Sequence, residues 1–296
     1  MTARPDQRGR TRLRDLARLV RAPAALTVPG DVLVGATRTG PLRPRLLVTM
    51  ASSVCLYWAG MALNDYADRD LDALERPERP IPSGVVTPGT AVAVASGLTA
   101  AGLGLAIAAN GRRGLASSLP LAGGVWLYDL ALKPTAAGPA AMAALRGLNV
   151  LAGGGQDAVR RGLPAAATVG VHTLVVTWLS RHEVGGAAPV LPAVALTATC
   201  AITAATLCGP NPPGPFSRTL ARLLGLAYVA TCGRAQLAAA ADPSAQNVRR
   251  AVAAGIHGLM PLQGMLAASA GSPVTAVTVA AAFPVARWLG GKVSPT

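Results

Sequence analysis

The chain has 296 residues, 51% of them hydrophobic and only 14% charged, with a mean hydropathy of +0.42. A soluble domain carries about a quarter charged residues, so this composition excludes an ordinary water-soluble globule and points to a multi-spanning membrane protein. The net charge of +14 does not read as nucleic-acid binding, because the arginines sit mostly at the ends of apolar stretches, where a membrane–water boundary lies, and no basic helix is interleaved with aromatics.

Residues 1–21 are basic and amphipathic, with Arg4, Arg8, Arg10, Arg12, Arg14, Arg18 and Arg21. They read as a cytoplasmic segment on the membrane surface, leading into a single integral-membrane domain over 22–296. Crossing a bilayer as a helix takes roughly 20 apolar residues. Candidate spans cover 22–38, 45–64, 88–109, 114–132, 138–154, 164–180, 187–209, 217–240, 250–269 and 272–290. The expectation is an all-α polytopic bundle of about nine transmembrane helices, because backbone groups in lipid must be satisfied within each segment. Cys55, Cys200, Cys208 and Cys232 lie in apolar stretches with no CxxC pair, and are expected as buried, reduced thiols. His172 and His257, also in apolar spans, read as satisfied buried imidazoles rather than ligands.

If the N-terminus is cytoplasmic, alternation brings 65–87, 133–137, 181–186 and 241–249 to that same face. The first of these concentrates the acid of the chain, six of its 13 Asp and Glu residues. "NDYADRDLDALERPERPIPSG", residues 64–84, contains Asp65, Asp68, Asp70, Asp72, Glu75 and Glu78. At helical spacing Asn64, Asp65, Asp68 and Asp72 share a face, where unscreened carboxylates repel unless a cation sits between them. Hard oxygen ligands in this pattern suit Mg²⁺, which takes one or two carboxylates together with substrate phosphates. Arg76 and Arg79 follow, each before a proline that stiffens the chain, and guanidinium forks bond phosphate oxygens in pairs. The alternative is a solvated loop whose acids and arginines pair with one another.

Farther along, Arg146 and Asn149 interrupt an apolar segment three residues apart, so they are expected to face away from lipid and line a cavity. The glycines at 153–155 read as a helix end, since no P-loop lysine follows them. Asp31, in the first span, is expected to face inward.

"NDYADRDLD" and "RPERPIPSG" together resemble the first aspartate-rich motif of the UbiA superfamily of intramembrane prenyltransferases and the tail that follows it. The resemblance implies a helical bundle around a central cavity and Mg²⁺-dependent transfer of a prenyl group from a prenyl diphosphate to an aromatic or other nucleophilic acceptor. On that reading Asp65, Asp68 and Asp72, with Asn64 beside them, hold metal, and Arg76 and Arg79 hold diphosphate. "LYDLALKPT" resembles the family's YxxxK-type segment, which implies that Lys133 faces the diphosphate, Asp68 and Asp72 acting with it in catalysis. Asp129 and Lys133 are also four apart, which suits a plain helix-end ion pair. Tyr128 could shield a carbocation or anchor the interface.

Where the family carries a second aspartate-rich motif, this chain has "SRHEVGG", and Glu183 is its single acid. That stretch resembles a UbiA-like branch that includes proteins of bacterial Ebo-type gene clusters. Its sparseness leaves a second reading open, a non-catalytic protein that binds or carries a polyprenyl lipid on the same fold. A CDP-alcohol phosphotransferase is disfavoured, because its spaced aspartate signature is absent. The oligomeric state cannot be read from the chain.

Overall fold

The structure is a computed structural model that describes residues 13–20, 27–40, 42–154, 158–209 and 214–281. The described residues are mostly helical, with no strand among them. The helices are α1 (Leu13–Leu19), α2 (Val28–Thr37), α3 (Arg45–Ala67), α4 (Arg69–Glu75), α5 (Pro88–Leu127), α6 (Gly138–Gly153), α7 (Ala158–Ser180), α8 (Val190–Leu207), α9 (Pro215–Ala241) and α10 (Ala245–Ser269). A π-helical turn, Tyr128–Leu132, ends α5.

Six of these helices are long and apolar enough to cross a membrane. One of them, Pro88–Leu132, has 45 residues, about twice what a single crossing needs. It is a hairpin rather than a rod. Gly111 breaks it with φ 60° and ψ −143°, a backbone conformation that residues with a Cβ avoid. Beyond the break the chain returns, and Trp126 Nε1 donates to Thr99 Oγ1 at 3.0 Å. The two expected spans 88–109 and 114–132 are the limbs of this hairpin. Helices α2 and α6, at 10 and 16 residues, are too short for a full crossing, so the described helices do not by themselves add up to nine spans. The expected last span, 272–290, runs on past Ala281, where the described residues end.

Apolar side chains cover the outside of the bundle. Ile107, Leu119, Leu127, Leu163, Val171, Leu223, Leu226 and Leu237 are all exposed, on a scale that water does not tolerate and lipid favours. This is an integral membrane protein. Its most enclosed helix is α10, in which every residue from Gly258 to Ala268 is buried, among them Leu262 and Met265. These pack with Val34, Val150, Val169 and Tyr228 into the main apolar core.

Close helix approach positions the site. A Cβ on Gly35 would lie 1.8 Å from Val150 O, and one on Gly153 would lie 1.9 Å from Val32 O. Glycine at both positions therefore lets α2 and α6 touch backbone to backbone. Of the four thiols expected to be buried only Cys232 is: Cys200 and Cys208 are exposed, because they sit on the outward faces of α8 and its end, and Cys55 is partly buried. His172 is a satisfied core imidazole, its ring nitrogens 2.9 Å from Tyr228 Oη and 3.1 Å from Gly255 O.

Candidate active site

Helix α3 delivers the acid-rich motif. It runs to Ala67 and stops at Asp68, whose φ −86° and ψ 0° turn the chain before α4 resumes at Arg69. Asp65 and Asp72, on either side of the turn, are each 3% exposed. Asp70 points out, with its side chain 86% exposed. Only the acids of the NDxxDxxxD pattern therefore face inward.

The loop that follows is pinned by two apolar plugs. Ile81 and Val86 are buried with Leu19, Ala62, Leu63, Ala91 and Ala95, and Val86 N donates to Pro80 O at 2.9 Å. The amphipathic α1 is thereby docked through Leu19 at the same end of the bundle. Pinned in this way, the loop returns Arg79 to the acids: its Nη1 donates to Asp72 Oδ2 at 2.7 Å and to Asp65 Oδ1 at 3.4 Å. Arg76 ends α4 and is exposed.

The π turn brings the second basic group. Lys133 N donates to Tyr128 O at 2.8 Å, one residue wider than an α-helical bond. Lys133 Nζ bonds Asp68 Oδ2, and Asn64 Nδ2 donates to Asp129 Oδ1 at 3.4 Å. Asp129 and Lys133 thus reach across to α3.

The third loop closes the ring. Arg181 donates to Thr135 O at 2.8 Å and Pro134 O at 3.0 Å, and Arg249 Nη1 donates to Glu183 O at 2.9 Å. Ala187 N donates to Pro243 O at 3.0 Å. All four loops expected on one face meet there. Burial pushes the Glu183 carboxyl above its ordinary value, against the pull of Arg76 and Arg249.

Below the mouth lies a cavity of about 210 Å³ between α2, α3, the second limb of α5 and α6. Asn64, Tyr128 and Asp129 line its outer end, Leu56, Met61, Val125 and Leu145 its sides, and Arg146 and Asn149 its inner wall. Asp31, which is fully buried, fixes that wall. Arg146 Nε lies 3.1 Å from its Oδ2, Asn149 Nδ2 donates to Oδ2 at 3.0 Å, and Gln263 Nε2 donates to Oδ1 at 2.6 Å. Gln263 carried no signal in the sequence, because a lone amide in an apolar helix has no spacing to mark it. A larger hollow of about 730 Å³, lined by Arg43, Arg45, Arg113 and Gly111, opens at the other end of α3 and holds none of the motif residues.

Among the described residues no three His, Cys, Asp or Glu side chains are gathered into a ready-made metal site. The donors nonetheless fit Mg²⁺. Asp65 and Asp72 are held to one guanidinium nitrogen, all nearby ligands are hard oxygens, and this ion needs only one or two carboxylates when phosphate supplies the rest.

The UbiA prenyltransferase family pattern matches residues 24–245. The chain belongs to this family. Digeranylgeranylglyceryl phosphate synthase of Methanopyrus kandleri is 40% identical over 123 residues, 41% of this chain and 44% of that protein. The chloroplastic chlorophyll synthase of Oryza sativa is 37% identical over 81 residues, 25% of this chain and 22% of that one. These matches span less than half the length of either relative. The fold is shared more completely. A UbiA homologue from Aeropyrum pernix superposes with TM-score 0.57 at 20% identity, covering 79% of this chain and 94% of that one. A UbiA homologue from Archaeoglobus fulgidus, solved with GPP and Mg²⁺ bound, superposes with TM-score 0.51 at 15% identity, covering 90% and 99%.

Proposed function

We propose that this UbiA family member transfers a prenyl group from a prenyl diphosphate to a nucleophilic acceptor within the membrane, with Mg²⁺ as cofactor. The observation that carries the reading is the convergence of Asp65, Asp68 and Asp72 with Arg79 and Lys133 at the mouth of an apolar cavity. Asn64, Asp65, Asp68 and Asp72 would hold the metal, with Glu183 as the acid of the second loop. When bound, the ion offsets charge developing on the departing diphosphate.

The protein's own cations share that task. Arg79 and Lys133 already sit at the carboxylates and can reach the same phosphate oxygens, and Arg76 borders the mouth. Preorganised cations in a partly desolvated site stabilise a leaving diphosphate more than they would in water. The apolar sides of the cavity suit prenyl carbon and exclude water from an allylic cation. Tyr128 offers its ring at the point where that cation would form. A basic N-terminal sequence favours a cytoplasmic position for this mouth.

The test is diphosphate release by purified protein from geranyl, farnesyl and geranylgeranyl diphosphate, with and without Mg²⁺, alongside Asp68→Ala. Magnesium-dependent release that the variant loses is the expected result. One feature favours a second reading, a carrier of polyprenyl lipid: the loop after α7 supplies one carboxylate where the resemblance leads one to expect more. Donor binding without release from any substrate would select the carrier.

A further inference from the structure

The hollow at the far end of α3 is larger than the cavity below the mouth and has no part in the proposed transfer. We infer that it is a second ligand site, which holds the phosphate headgroup of an anionic phospholipid in the leaflet opposite the mouth. Its volume is about 730 Å³, and it lies between the end of α2, the start of α3, the turn of the α5 hairpin and the end of α6. Pockets of this size take a whole small ligand, so a lone phosphate ion would fill little of it.

The chemistry of the hollow is one-sided. Arg43, Arg45 and Arg113 line it. None of the three stretches that build it, 36–49, 109–117 and 151–154, contains an acid. Among the described residues no ion pair engages these three guanidiniums, whereas Arg79 and Arg146 lean on buried carboxylates. Guanidinium forks match the oxygens of a phosphate. Asn110 and Ser117 add neutral hydrogen-bonding groups beside them, of the kind that a glycerol headgroup engages.

Depth and apolar lining decide between a soluble anion and a lipid. Helix α3 has 23 residues from Arg45 to Ala67, about 34 Å of helix against a hydrocarbon core of about 30 Å. With the acid-rich motif at one membrane–water boundary, Arg45 therefore stands at the other, level with lipid phosphates. Leu42, Leu46 and Leu151 line the same hollow. Arginines beside leucines at this depth suit a molecule that joins phosphate to hydrocarbon, and basic pockets between membrane helices hold anionic headgroups in this way. A sugar phosphate would leave the leucines facing water. A zwitterionic headgroup would bring a cation of its own against three arginines.

The site stands ready without its ligand. Asn110 Nδ2 donates to Thr49 Oγ1 at 3.2 Å, which ties the hairpin turn to α3. A Cβ on Gly114 would lie 1.9 Å from Ala106 O, so glycine there lets the returning limb start in contact with the first and holds Arg113 at the turn. Arg38 does not line the hollow; its Nη2 donates to Leu266 O at 3.0 Å and secures the end of α2 to α10.

The experiment is native mass spectrometry of the full-length protein released from detergent micelles, titrated with phosphatidylglycerol or with phosphatidylcholine of the same acyl chains. The first phosphatidylglycerol is expected to bind at about tenfold lower concentration than the first phosphatidylcholine. Replacing two lining arginines together, Arg43→Gln with Arg113→Gln, is expected to abolish that preference. Arg112→Gln, which removes a charge from the same turn but not from the hollow, is expected to keep it. All three arginines are exposed, so each variant should melt within a few degrees of wild type. Equal binding of the two lipids by the wild-type protein overturns the proposal without any variant. A preference that survives the double replacement puts the lipid elsewhere, and one lost equally in Arg112→Gln reports only general surface charge; either result also overturns it. Glycerol 3-phosphate is expected to leave the bound phosphatidylglycerol in place. Displacement by it would make this a site for a free phosphate, and the lipid assignment would fall.

Discussion

Lys133 closes an ion pair with Asp68 across 65 residues of chain, joining the π turn at the end of α5 to the turn that ends α3. Neither group is sealed away: the side chains are 30% and 23% exposed. A pair this open contributes at most about 1 kcal/mol to folding, so its placement serves the mouth of the cavity more than stability. Lys133→Met is expected to leave the melting temperature within a few degrees of wild type. The same change should cut Mg²⁺-dependent diphosphate release by roughly 10²- to 10³-fold, the scale of losing one preorganised charge-stabilising group. Lys133→Arg should recover part of the rate. An unchanged rate in Lys133→Met would reduce this residue to a helix-end anchor.

Arg79 behaves differently, because it is the shared partner of two buried acids. Removing it leaves Asp65 and Asp72 facing each other in a nearly closed setting. Arg79→Met is expected to destabilise the protein by about 3–5 kcal/mol, seen as a large drop in the thermal midpoint in detergent. Asp70→Asn, on the exposed side of the same run, should change stability by less than about 0.5 kcal/mol. Comparable losses in the two variants would contradict the inward and outward assignment of these acids.

The sequence revealed the acid-rich face because carboxylates are rare in this chain and their 3–4 spacing survives any uncertainty about helix edges. It also marked Arg146 and Asn149, since polar groups in an apolar run have few places to point. It could not show that Arg79, rather than Arg76, is the arginine folded back on the acids. That depends on Ile81 and Val86 acting as plugs, and an isolated apolar residue in a loop has no period. Nor could it connect Asp31 to Gln263, whose bond spans 232 residues and rests on α2 meeting α10 where Gly30 leaves room for the Gln263 amide. Ala-rich helices with few aromatics blur their ends, which is why the number of spans stayed approximate.

Gly111 tests the hairpin. Its φ of 60° with ψ −143° lies in a region effectively reserved for glycine. A Cβ there would meet no neighbouring atom within 4 Å, so the cost of adding one is conformational rather than steric. Gly111→Ala is expected to lower stability by about 1–3 kcal/mol. If the two limbs were instead one continuous helix, the same substitution would stabilise, as alanine does in helix interiors. Thermal unfolding of the two proteins decides the sign.

Glu183 gives the mouth a pH dependence. Burial raises its folded-state value above the ordinary 4.5, although Arg76 and Arg249 pull the other way. An acid with a raised folded value holds its proton longer in the native state than in the unfolded chain. Between the two values the native state therefore binds more protons, and stability falls as pH rises through that window. In metal-free buffer the melting temperature of wild type is expected to decline as pH climbs from about 4.5 into the raised range, then to level off. Glu183→Gln, neutral at every pH, should remove this contribution and melt higher than wild type above the window. Because the group is about half exposed, solvent screening keeps the difference small, so the comparison rests on the shape of the two pH profiles. A wild-type profile that rises through this range relative to Glu183→Gln would mean that the two arginines outweigh burial.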